Sequence, residues 1–246
     1  MDPDLHDRRQ PVWLEIRKYI QDVIASPGLG PGDRVPSERA LAETLGANRM
    51  TVRKALDSLV AMGALERNSR SGTRIPLPRV TRPADAHTAL GIARIVRAGG
   101  GTPGNRLLHF ARAAAEGKVA ERLALSEGDP VVVFRRLWTV NDTPFCIETS
   151  HLPAARVPGL TEEDLAEGKS FYGLLGERYG ITTTGAERTI GIGNATEAEA
   201  GLLRLKPDAA VLLMRLLASD EAGRPIEYMA SVNHPQLVVF RTTRPG

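Results

Sequence analysis

The chain has a single cysteine, Cys146, in 246 residues. One thiol cannot close an intrachain disulfide, which points to a reducing compartment. No apolar run reaches the roughly 18 residues that a membrane-spanning helix needs. The opening stretch Met1–Pro11 is polar and lacks the apolar core of a secretory signal. These absences predict a cytoplasmic protein with no membrane partner. His6, His87, His109, His151 and His234 show no metal-ligand spacing. Cys146 could in principle meet Glu148 or His151 at a metal, but a satisfied core or surface role is the simpler reading. GGGTPGN lacks the Lys-Ser/Thr of a phosphate-binding loop, GIGNA lacks the strand-glycine-helix fingerprint, and no Gly-x-Ser-x-Gly elbow occurs. No metal, cofactor or catalytic residue is therefore expected.

What is present is unevenly distributed. Hydrophobic residues make up 42% and charged ones 25%, the balance of a globular protein. The net charge is only +3. Yet Arg34 to Arg82 holds ten Lys/Arg against four acids, which is +6 and leaves −3 for the rest. Such asymmetry suggests a polyanionic partner for one part of the chain. At this length one large domain or two ordinary ones fit, each long enough to bury its own core.

Apolar spacing predicts a helix over 11–25, with Val12, Ile16 and Ile20 in phase and Pro27-Gly28 ending it. Ser37 is a good N-cap for a helix over 38–45, closed by Gly46. Asn48 can then cap a helix over 49–62, stopped by Gly63. Two helices joined by a short Gly-containing turn fit a helix-turn-helix. ALERN and TRIPL read as two strands around the turn SRSG, completing a winged helix-turn-helix over 1–78. RVTRPAD has no periodicity, so 79–86 is expected to be a linker.

Within ANRMTVRKALDSL, Val52, Leu56 and Leu59 share one helical face, while Arg49 and Arg53 share another. A helix seated by its apolar face can carry its first-turn side chains into the major groove. There Arg can bond guanine bidentately or clamp phosphate, and Thr51 can touch a base edge. Arg39 is placed to hold phosphate, and the tip Arg70-Ser71-Gly72-Thr73 suits a neighbouring minor groove. Each cation alone could simply be solvated; the combination argues otherwise.

GDRVPSERALAETLGANRMTVRKALDSLVAMGALERNSRSGTRI resembles the DNA-binding domain of GntR-family transcription regulators over about 65 residues. The resemblance implies that Arg39, Arg49, Thr51, Arg53 and Gly72 contact operator DNA. Ser71 joins them as a candidate, although Arg70-Ser71 replaces a more usual Gln-Gly pair.

The segment 87–246 reads as an α+β domain. Hairpins are expected at 131–140/144–152 and 210–219/226–235, with helices opening at Thr161 and Thr196 and another near 119–125. Glu199 can complete a capping box with Thr196. The order of GGTP, LALSEGDPV, RRL, PFCIE, HLP, KSFY and RPIEY resembles the UTRA effector domain of the HutC branch. That resemblance implies a six-stranded antiparallel sheet with helices, similar to chorismate lyase, with a ligand in a cleft.

For a small anionic ligand, Gly100, Gly101 and Thr102 can offer backbone N–H groups and Arg136 a bidentate clamp. Ser170 and Tyr172 add hydroxyls, and Glu148 and Glu227 can accept. The resemblance places these positions in the effector site, with Trp138 and Asn233 as departures from sugar-phosphate-sensing relatives. Trp138 stands where a second Arg is common, so a second anion clamp is expected to be absent.

The reading is a ligand-responsive repressor, not an enzyme, binding a palindromic operator as a homodimer and modulated by a small anionic effector. An enzyme built on the lyase-like domain with a DNA-binding head, and an architectural DNA-binding protein without ligand, remain open alternatives.

Overall fold

The computed structural model describes residues 11–26, 28–68, 72–84, 91–166 and 170–242. The chain divides into two units, Met1–Leu77 and Pro78–Gly246. Among the described residues, no helix is long and apolar enough to cross a membrane.

In the first unit, α1 (Val12–Ala25) starts directly after Pro11. The Ser37 hydroxyl accepts the Ala40 N–H at 3.2 Å and opens α2 (Glu38–Leu45), which ends on Gly46 at φ 59°. The Asn48 side chain accepts the Met50 N–H at 2.8 Å and opens α3 (Arg49–Ala61). These caps satisfy amides that the first turn of a helix leaves unpaired. Ile16 and Ile20 of α1, Leu41 of α2, and Val52, Leu56 and Leu59 of α3 share one core with Leu65. Each fully buried Leu or Val contributes about 1.5–3 kcal/mol, so α3 is firmly seated by one face. β1 (Glu66–Asn68) and β2 (Gly72–Arg74) pair antiparallel, shorter than the runs expected to form them.

The second unit is built on a six-stranded antiparallel sheet, as its resemblance implies. Its strands, in spatial order, are β4 (Pro103–Ala114), β5 (Pro130–Val140), β6 (Thr143–Pro153), β9 (Pro225–Asn233), β8 (Ala210–Asp220) and β7 (Thr183–Asn194). The β5–β6 hairpin turns through Asn141 and Asp142, both at positive φ, which a tight two-residue turn demands. Helices α4 (Ile92–Ala98), α5 (Gly117–Leu123), α6 (Phe171–Tyr179) and α7 (Glu197–Leu203) accompany the sheet. The capping box at α7 forms, with Thr196 and Glu199 each accepting the other's N–H. Phe134 and Leu152 of the sheet pack on Phe171 and Leu175 of α6.

Two expectations fail here for local reasons. The helix expected from Thr161 is only a 3-10 turn, Glu163–Leu165. The Asp164 carboxylate accepts from the Thr161 N–H (3.0 Å) and hydroxyl (3.2 Å) and from Arg178 (2.7 Å), closing the segment on itself. The helix forms later, capped by the Ser170 hydroxyl, which accepts the Gly173 N–H.

The stretch 79–86 also departs from a linker. Val80–Pro83 form β3, paired parallel with β10 (Val238–Arg241). Its alternate side chains, Val80 and Arg82, are 3% and 4% exposed. A strand partner far along the chain gives this segment an order that its own composition does not signal. Residues 85–86 lie outside the described residues.

Candidate functional site

On α3 the exposed side chains sort into those held by neighbours and those that are not. Asp57 is bound by Arg67 at 2.8 Å, and Arg67 also reaches Glu38 at 3.3 Å. The Lys54 ammonium lies 5.0 Å from the centre of the Trp13 ring. Arg49 and Arg53 are exposed and have no ion pair or hydrogen bond among the described residues. Thr51 is half-buried beside them. No acid occupies the first turn of α3, so the two guanidiniums face the positive end of the helix dipole unrelieved. Among the described residues Arg39 is paired with Glu43 alone, at 3.2 Å, and both side chains are well exposed. Such a pair is worth about 1 kcal/mol at most and gives way readily to a stronger anion. Gly72 sits at φ 80°, a conformation only glycine adopts without strain, and starts β2. Ser71 lies outside the described residues.

In the second unit a cavity of about 310 Å³ is lined by Arg136, Trp138, Glu148, Ser170, Tyr172 and Glu227, among others. Six of the ten effector candidates are thus brought together. Arg136 is 5% exposed, and its guanidinium carbon lies 4.8 and 4.9 Å from the Trp138 and Phe134 ring centres. Its Nε is buried without a hydrogen-bond partner among the described residues. Glu227, by contrast, is fully engaged: the Ser150 hydroxyl and the Tyr172 hydroxyl each donate to it at 2.5 Å. Burial pushes the Glu227 carboxyl above its ordinary value despite those two donors. Burial, with Glu227 beside it, pushes the Tyr172 hydroxyl well above its own, so it remains a donor. Glu148 accepts from the Trp138 indole N–H at 2.9 Å.

The other oxygen of Glu148 leads to a residue that sequence reasoning missed. Arg82 of β3 lines the same cavity and donates to Glu148 Oε1 (3.0 Å) and Asn233 Oδ1 (2.7 Å). It also reaches the Cys146 sulfur at 3.2 Å. Burial acts to lower the Arg82 pKa, but Cys146 and Glu148 outweigh it and the net shift is upward. At neutral pH the effective counter-charge is Glu148, because burial pushes the Cys146 thiol up to about 12. Trp138 puts no second guanidinium on β5, but Arg82 brings one to the same cavity from a different strand. The signal was the two-residue period of Val80 and Arg82, hidden by the brevity of the strand.

Four effector candidates stand elsewhere. Asn233 is fully buried behind Arg82 and does not line the cavity; its Nδ2 donates to Leu212 O and Ser231 Oγ, both at 3.0 Å. Gly100, Gly101 and Thr102 lie apart, where the chain leaving α4 meets the β5–β6 turn. Their N–H groups are already used, by Arg97 O (3.0 Å), Val96 O (3.0 Å) and Asn141 Oδ1 (2.8 Å). A Cβ on Gly101 would stand 2.7 Å from Val140 Cγ2. This glycine serves close packing of the turn on the hairpin, not approach of a ligand. Among the described residues, no cluster of His, Cys, Asp and Glu could hold a metal.

A winged helix-turn-helix followed by a sheet domain with a polar cavity is the arrangement of a DNA-binding transcription regulator. Residues 14–75 match the model of bacterial regulatory proteins of the gntR family, and residues 98–236 match that of the UTRA domain. The chain belongs to the GntR family, in the HutC branch that carries a UTRA domain. It is 30% identical to the HTH-type transcriptional repressor NagR of Bacillus subtilis over 223 residues, 90% of each chain. It is likewise 30% identical to the repressor PhnF of Mycolicibacterium smegmatis over 213 residues, 87% of this chain and 85% of PhnF. The crystal structure of PhnF superposes with a TM-score of 0.69 at 27% identity, covering 94% of this chain and 99% of PhnF. Arg82 falls in neither family match.

Proposed function

We propose that this regulator is a homodimeric repressor that binds a palindromic operator and responds to a small anionic effector held in the cavity of the second unit. The observation that carries the effector reading is Arg136: a buried guanidinium, stacked on aromatic rings, whose Nε finds no acceptor among the described residues. Leaving such a group unpaired is costly, and a ligand carboxylate or phosphate supplies the missing acceptor. Arg82 adds positive charge to the same wall, while Tyr172, Ser170 and the two glutamates offer a polar surface for the rest of the ligand. The aromatic flank of Trp138 and Phe171 favours a flat or apolar portion.

On the DNA side, Arg49, Thr51 and Arg53 read bases or clamp phosphate, with Arg39 and Gly72 on the backbone nearby. Dimer symmetry sets the half-site spacing of the operator. The effector acts by binding one arrangement of the dimer better than another, so its leverage equals that difference in affinity. The repressor assignment follows the relatives NagR and PhnF, both named as transcriptional repressors. The cavity is read as a sensor and not an active site, since two of its polar side chains, Glu227 and Tyr172, satisfy each other.

The test is operator binding by fluorescence anisotropy, on a duplex selected from random DNA, against paired anionic and neutral metabolite analogues. Only the anionic members change operator affinity, and Arg136→Met loses that response while keeping operator binding. An equal effect of neutral analogues refutes the anion reading. Turnover of an analogue into product refutes the sensor reading.

A further inference from the structure

The exposed face of α3 carries one large apolar side chain among its cations. Met50 is 68% exposed, whereas Val52, Ala55, Leu56 and Leu59 of the same helix are wholly buried. At 100° per residue, Met50 points roughly 170° away from the mean direction of those four. It therefore stands on the crest of the helix, at the centre of the face turned from the core. Its polar neighbours on that crest, Lys54 and Asp57, are tied to Trp13 and Arg67 of their own domain. Arg49 and Arg53, to one side, have no such partner among the described residues. The part of α3 that projects furthest and is least committed to its own domain is thus Met50 with two arginines.

We propose that Met50 is a specificity-determining residue that packs its thioether against the C5-methyl group of a thymine in the operator. The proposal rests on the DNA-reading role of α3. The partner follows from chemistry. Among the hydrogen-bond donors and acceptors on the floor of the major groove, the one apolar substituent is the thymine methyl. A flexible, polarizable side chain at the crest of a helix suits that contact. It is stripped of water on binding, while Arg49 and Arg53 alongside it satisfy base edges or phosphates. The fold does not explain the Met50 side chain: the Asn48 cap is made to its backbone N–H, and among the described residues its side chain belongs to no core cluster.

The experiment uses the full chain. Its preferred duplex is selected from a random library, and each thymine in turn is replaced by deoxyuridine, which removes only the methyl group. Affinity is read at fixed salt for the wild type, Met50→Ala and Met50→Leu. At one thymine or a symmetric pair, uridine weakens wild-type binding about three- to fivefold per site, the worth of one buried methyl. Met50→Ala binds the thymine duplex more weakly and no longer distinguishes it from uridine, while Met50→Leu retains part of the discrimination. If no uridine replacement weakens the wild type by more than about 1.5-fold, or if the loss persists unchanged in Met50→Ala, the proposal is overturned. If selection yields no preferred sequence at all, the DNA-reading role of α3 itself fails, a separate outcome. Helix content by circular dichroism shows that the variants remain folded.

Discussion

Arg82→Met is the sharpest perturbation that the structure offers. The substitution keeps most of the apolar stem and removes the guanidinium, leaving Glu148, among the described residues, with only the Trp138 indole N–H and Asn233 Oδ1 without its Arg82 donor. A bare carboxylate in a dry wall is not the end point, because the chain can take up a proton instead. Holding a glutamate of ordinary acidity protonated at pH 7 costs about 4 kcal/mol, and that figure caps the charge part of the penalty. It agrees with the roughly 3–5 kcal/mol seen when one partner of a buried ion pair is removed. The same reasoning makes the penalty depend on pH: at pH 5 the cap falls to about 1 kcal/mol. Arg82→Met/Glu148→Met removes both charges, and its cost should lie well below that of Arg82→Met at neutral pH. The assay is denaturant unfolding followed by Trp138 fluorescence, in a Trp13→Phe background that silences the only other tryptophan. A loss below about 1 kcal/mol at pH 7, where a surface pair would fall, refutes the buried latch. So does a double variant as unstable as the two single changes added together.

Arg49→Ala and Arg53→Ala should each cost about 1–3 kcal/mol of specific operator binding and relax base preference, whereas Arg39→Ala should weaken binding evenly across sequences and reduce the salt slope by about 1; a titration series in salt separates the two behaviours. Burial holds the His151 and His234 imidazoles below their ordinary pKa. The unfolded chain therefore binds protons first as pH falls below about 6.5, and stability present above that point is lost below it, by at most about 1.4 kcal/mol per pH unit for each imidazole. His151→Gln/His234→Gln should flatten the fall in melting temperature between pH 7.5 and 5.5, and an unchanged slope would count against it. Gly101→Ala should destabilise the second unit by about 1–3 kcal/mol through overpacking on Val140. Effector response should remain in that variant; its selective loss, with stability intact, would instead return Gly101 to the ligand site.

The first unit was legible because each of its signals is local. Ser37, Gly46 and Asn48 mark helix ends within a few residues, and Val52, Leu56 and Leu59 declare the buried face by spacing alone. The central hairpins were legible for the same reason, through short apolar runs on either side of the turns NDT and DEAGR. The edge strands β4 and β7 were not. Residues 103–114 carry Arg and His on a strand with one free side, and 183–194 include three glycines, two of them in TIGIG. Gly193 is there because Leu213 of the neighbouring strand stands 2.7 Å from where its Cβ would be, a constraint written in another part of the chain. Arg82 was missed on the same principle. Its buried partners Cys146, Glu148 and Asn233 lie 64, 66 and 151 residues away. Trp138 misled for a subtler reason: it stands where relatives often carry a second Arg, but in this chain a further cation reaches the cavity from β3.

The pairing of β3 with β10 also has a bearing on the order in which the molecule is made. Val80 is matched with Val238, so the strand that carries Arg82 must wait for nearly all of the second unit to leave the ribosome before its partner exists. The hairpins β5–β6 and β8–β9 close over short loops, whereas this pairing spans the whole unit and carries the larger loop-closure entropy. Until it forms, Glu148 lacks its guanidinium and the cavity lacks one wall. A nascent or truncated chain that stops short of residue 238 would already hold every residue of the first unit's core, while Arg82 of the second unit still lacked the strand that orders it.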